Sequence, residues 1–118
     1  MSTVPLTCLS IDRVLEYVAD LEGVHVLLGT LQQSLQDDLP RLQAHLDAGD
    51  LPAAHRVLHQ IKGFAPVFCP DELVAEVIRV EGLCKGGDLQ AVRADYAHLG
   101  PQLHRLLAEV RAQLAQPR

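Results

Sequence analysis

The segment His59-Gln60-Ile61-Lys62-Gly63 sets an imidazole, an ammonium and a glycine within about one helical turn. A neutral imidazole keeps a lone pair and is a competent nucleophile near pH 7 when it can be reached from solvent. Around it, Leu51, Ala54, Leu58, Ile61, Ala65 and Phe68 recur at spacings of three and four, the pattern of a helix face buried against other helices. At about 100° per residue, His59 lies roughly 130° from the centre of that stripe, in an outward sector shared with Arg56, Gly63 and Val67. The helix therefore turns its histidine away from the core. A glycine on the outward face costs about 1 kcal/mol of helix stability relative to alanine, and no packing there offsets it. Close approach by an external surface would account for it.

The charge around this histidine differs from that of the whole chain. With 10 Lys and Arg against 15 Asp and Glu, the chain carries a formal charge of −5, which argues against nucleic acid as a partner because phosphate backbones are held by clustered cations. Locally, Arg56 and Lys62 flank His59 at helical spacings of three, with His55 one turn before it. That basic patch suits an acidic pocket or a phosphoryl group. The chain has no Gly-rich nucleotide loop and no acidic cluster beside His59 to hold magnesium, so autonomous phosphorylation from ATP is not expected. His55 and His59 have the i, i+4 spacing of a metal grip, but no HExxH pattern or cysteine pair completes a site. Cys8, Cys69 and Cys84 are odd in number and form no CxxC, so they read as small buried hydrophobes.

The elements that must position these residues are helices. The chain of 118 residues fits one domain, with residues 1–9 and 115–118 expected to be flexible. Aromatic residues make up only 3%, so its core must be aliphatic. Ser10 caps a short first helix carrying Ile11, Val14, Leu15 and Val18 and ending near Asp20 or Gly23. A second helix is predicted from about Val24 to Ala48, with a leucine seam and Pro40 inside it. Gly49 closes it, and Asp50 caps a third helix, Leu51 to about Phe68, that carries His59. Pro66 should bend that helix one turn after the histidine. A fourth helix opens with Pro70 in its first turn and ends at Lys85-Gly86-Gly87, and a fifth, capped by Asp88, keeps its seam in register across Gly100-Pro101. Four amphipathic helices joined by short turns predict an all-α, up-and-down antiparallel four-helix bundle with a short additional N-terminal helix. No segment reaches the roughly 20 apolar residues of a membrane span and no signal peptide is evident, so a cytoplasmic location is expected.

His59, Ile61, Lys62, Gly63, Ala65 and Phe68, with the lead-in from Gly49-Asp50, resemble the motif of histidine-containing phosphotransfer (HPt) domains over about Leu28 to Leu114. Phe64, Pro66 and Cys69 depart from that pattern at the end of the helix. The resemblance implies a phosphorelay protein in which His59 takes a phosphoryl group from a receiver-domain phosphoaspartate and passes it to another receiver. It implies that Lys62 offsets charge on the phosphoryl group, that Gly63 leaves room for the receiver, and that His55, Arg56, Gln60, Phe64 and Val67 form the docking surround. It further implies a monomer without its own cofactor, with Mg2+ supplied by the receiver and a hybrid sensor histidine kinase upstream. Three other readings stand beside it: a chemotaxis-kinase-type domain phosphorylated directly by a kinase domain, a helical adaptor that binds receivers without being phosphorylated, and a structural helical adaptor in which the motif is accidental.

Overall fold

The computed structural model describes residues 6–116, and it places five helices in them: α1 (Ile11–Val14), α2 (Leu21–Ala48), α3 (Leu51–Phe68), α4 (Asp71–Lys85) and α5 (Leu89–Ala115). Among the described residues there is no strand. Each long helix packs on the next, and α5 closes the ring against α2. Connections of two or three residues leave no room for a crossover, so successive helices run antiparallel and the architecture is the predicted up-and-down bundle. One aliphatic core runs through it, with Leu35, Leu42, Leu58, Ile61, Val77 and Leu99 fully enclosed.

Local chemistry fixes the helix ends. Asp50 accepts a hydrogen bond from the Ala53 amide at 3.2 Å and Asp88 one from the Ala91 amide at 3.1 Å, the N-caps that the sequence predicts. Gly49 closes α2 at φ 74°, a left-handed conformation that glycine adopts without a Cβ penalty. Arg93, from α5, donates to the Leu46 carbonyl from Nε at 3.0 Å and from Nη2 at 2.7 Å, satisfying the end of α2 that precedes the histidine-bearing helix. Pro70 is the N-cap residue of α4 rather than a first-turn residue. Pro40, Pro66 and Pro101 all lie inside helices that continue past them, and α5 is unbroken across Gly100-Pro101. At Cys69 the chain turns to extended backbone, with the Cys69 amide bonded to the Ala65 carbonyl at 2.8 Å, so α3 runs through Pro66 to its predicted end.

The beginning of the chain departs from expectation. The first helix is a single turn that stops at Val14, short of the expected Asp20 or Gly23, and Leu15 is its C-cap, 41% exposed. Helix α2 starts at Leu21, three residues before the predicted Val24, because the Asp20 carboxylate accepts from the Gly23 amide at 2.9 Å and caps it. Residues 1–5 and 117–118 of the segments expected to be flexible lie outside the described residues. Within the first segment, Thr7–Leu9 are pinned: the buried Glu109 Oε1 accepts the amides of Thr7 at 3.0 Å, Cys8 at 2.9 Å and Leu9 at 3.0 Å. Glu109 Oε2 accepts the Thr7 hydroxyl at 3.0 Å and Arg105 Nε at 2.9 Å. Three successive amides converging on one oxygen form an anion-binding concavity of main chain. The Ser10 amide then bonds to the Phe68 carbonyl at 2.7 Å, tying this strap to the end of α3.

Candidate functional site

Helix α3 buries Ala54, Val57, Leu58, Ile61 and Ala65 against the bundle and leaves the His59 side chain 68% exposed, as the periodicity requires. The ring is anchored from below. Its Nδ1 lies 3.4 Å from Oε1 of Glu81, a residue of α4 whose side chain is only 2% exposed. The same oxygen meets His55 Nε2 at 3.0 Å and Lys85 Nζ at 3.7 Å, while Oε2 meets Lys62 Nζ at 3.3 Å. Two ammonium groups and two imidazoles therefore surround one carboxylate between α3 and α4.

That arrangement decides the protonation of Glu81. Burial works to raise its pKa, but hydrogen bonds from His55, Lys62 and His59 outweigh burial and bring it from 4.5 down to about 2. At neutral pH it is an ionised group that can only accept. In the neutral ring the His59 proton then belongs on Nδ1, and the lone pair on Nε2, the nitrogen away from Glu81. Among the described residues Nε2 has no hydrogen-bond partner. A nitrogen with a free lone pair thus faces solvent, and a positive charge on the ring would lie beside a buried carboxylate.

The structure brings His55, Arg56, His59 and Gln60 together around an open depression of about 420 Å3. Lys62, read from the sequence as a flanking surface charge, is instead partly buried and engaged with Glu81. Gly63 is exposed, and a Cβ built there would meet nothing within 4 Å. Phe64 and Val67 are partly buried against the core, and Phe64 packs edge-on against Phe68 at 6.4 Å, so each offers a docking surface only part of its apolar area. The i, i+4 histidines converge on a carboxylate already flanked by two ammonium groups, a setting that opposes a bound cation. The thiols are unreactive by environment: all three are buried, and burial pushes Cys69 up to about 12.

The sequence reading passes over Glu81 and gives Lys85 only as the end of the fourth helix. A signal existed, since Glu81 lies at about 40° from Val77 on the α4 wheel, next to the apolar seam and not opposite it. An acid at a seam position implies a buried partner.

The family model described as Hpt domain matches residues 26–113, which includes all of α3 and α4 and most of α2 and α5, so the chain belongs to the Hpt family. Hpt domains are phosphotransfer modules of two-component signalling that work with receiver domains and histidine kinases. No significant match was found among curated proteins or solved structures. No helix among the described residues is long and apolar enough to cross a membrane.

Proposed function

We propose that this protein is a relay intermediate: His59 Nε2 accepts a phosphoryl group from the phosphoaspartate of a receiver domain and returns it to the aspartate of another. The supporting observation is the exposed imidazole whose Nδ1 faces a buried, ionised Glu81, which leaves Nε2 as the outward nucleophile. The Nε2 lone pair attacks phosphorus as the bond from phosphorus to the aspartyl oxygen breaks, and that oxygen returns to the receiver as carboxylate. The ring keeps its Nδ1 proton and becomes cationic, and Glu81 stabilises that charge. The receiver supplies Mg2+ and the kinase activity lies upstream, in a hybrid sensor kinase. The protein works as a cytoplasmic monomer. Incubation with a radiolabelled phosphoreceiver, and separately with a kinase core and ATP, tests this reading. Acid-labile label on His59 from the receiver alone is expected; label from the kinase alone would replace the relay with direct phosphorylation.

Lys62 supplies positive charge beside the site while holding Glu81 in place. Lys62→Ala is expected to slow receiver-dependent transfer by about tenfold without abolishing it, because the lysine acts through charge and forms no bond. Equal single-turnover rates for the two proteins would remove it from the mechanism.

Gly63 gives a prediction with two opposed signs. Glutamine favours the helix more than glycine does and has open space to enter, so Gly63→Gln should melt at or above the wild-type temperature. Its side chain would stand between the helix and an incoming receiver, and displacing the reacting atoms by about an ångström costs on the order of 10²-fold in rate. Transfer from the receiver should fall by that order, while reaction with a small phosphoryl donor such as phosphoramidate stays intact. Unimpaired transfer from the receiver in the folded variant would place the docking surface elsewhere.

A further inference from the structure

His55 forms no bond to the phosphoryl group in the proposed transfer step, yet it makes the shorter contact to Glu81: 3.0 Å from its Nε2, against 3.4 Å from His59 Nδ1, both to Oε1. We propose that His55 competes with His59 for Glu81 and so sets how readily His59 gains a phosphoryl group and how firmly it keeps it, an inference that rests on the reading of His59 as phosphoacceptor. An oxygen shared between two donors gives each a weaker bond than it would give one alone. The rings stand edge-on, with centroids 6.4 Å apart at 76°, so each reaches the carboxylate from its own side.

The carboxylate does not depend on His55 for its position. Lys62 holds Oε2 at 3.3 Å and Lys85 approaches Oε1 at 3.7 Å. Removing the His55 donor therefore takes the closest competitor from Oε1 without releasing Glu81. When Nε2 attacks phosphorus the ring becomes cationic, and a carboxylate no longer shared with His55 stabilises both the transition state and the phosphorylated ring more strongly. When the phosphoryl group leaves, that stabilisation must be given up. By keeping part of Glu81 for itself, His55 holds the phosphohistidine at an energy from which it can be passed on.

His55→Phe keeps the ring volume and removes the donor. Two measurements test it: the Nδ1–H fraction of neutral His59 from long-range 1H–15N spectra, and the rate of His59 phosphorylation by phosphoramidate. In that reaction the phosphorus–nitrogen bond of the donor, protonated on nitrogen, breaks to release ammonia as the Nε2–phosphorus bond forms. The expected result is a larger Nδ1–H fraction and phosphorylation faster by about 3- to 10-fold, a fraction of what a whole hydrogen bond to a charged group contributes, because the bond is strengthened and not newly made. Both effects should vanish in the Glu81→Gln background, where the shared acceptor is no longer a carboxylate. An unchanged tautomer fraction, slower phosphorylation, or an effect that persists with Glu81→Gln would overturn the proposal. Tautomer change without any label on wild-type His59 would remove the acceptor role and leave the competition standing; label without tautomer change would do the reverse.

Discussion

His59→Gln is expected to abolish phosphoryl acceptance and leave the fold unchanged. The two halves have separate physical causes. The side chain is 68% exposed, so its loss empties no core volume, and a surface substitution of this kind shifts stability by no more than about 0.5 kcal/mol. Glu81 keeps His55, Lys62 and Lys85 around it, so no buried charge is stranded. Activity falls to background because glutamine has no nucleophilic lone pair to replace Nε2. The check is a labelling assay with a phosphorylated receiver beside a thermal melt. Label at the wild-type rate would move the acceptor elsewhere, first to His55 one turn away.

The largest effect on stability is expected at Glu109. Glu109→Ala leaves three amides without an acceptor, two of them on the buried residues Cys8 and Leu9, and removes the ion-pair partner of Arg105, whose Nε keeps only the Thr7 hydroxyl at 2.7 Å. At about 1–3 kcal/mol for each stranded buried group, less what entering water recovers, the loss should reach about 3–4 kcal/mol. That is a melting temperature lower by about 10–15 °C for a chain of this size. Glu109→Gln, which keeps one acceptor oxygen, should lose roughly half as much. A melt within about 2 °C of wild type for the alanine variant would mean that the strap contributes nothing measurable.

The same carboxylates give the fold an acid limit. For Glu109, burial raises the pKa, but hydrogen bonds from Cys8, Leu9 and Thr7 prevail and lower it from 4.5; Glu81 is lowered to about 2. In each case the unfolded chain binds a proton that the folded one refuses. The stabilisation is thus complete above the ordinary value of 4.5 and is lost as pH falls through the lowered values.

Much of this was legible in the sequence where the determinants are local. Asp50, Gly49 and Asp88 mark their helix ends by contacts spanning three or four residues, and the stripe from Ala54 to Phe68 fixes which way His59 points. What escaped depends on neighbours far along the chain. Glu81 is buried because α3 lies across it, and of its partners only Lys85 is local; His55, His59 and Lys62 are 19 or more residues earlier, on α3. Thr7–Leu9 read as a loose end since nothing nearby bonds to them. Their partner lies on α5, at a separation of up to 102 residues.

That separation bears on how the molecule is made. Loop closure costs more entropy the longer the intervening chain, and contacts between distant segments form only after the rest has drawn their carriers together. As the polypeptide leaves the ribosome, residues 7–9 emerge long before Glu109, so the strap must wait for α5 with its three amides still in water. The helical hairpin of α3 and α4, by contrast, can bring Glu81 to His59 once residues up to about Lys85 are free. The corner of His59 and Glu81 can therefore assemble before the bundle is sealed, whereas the bonds to Glu109 can form only once α5 has been made.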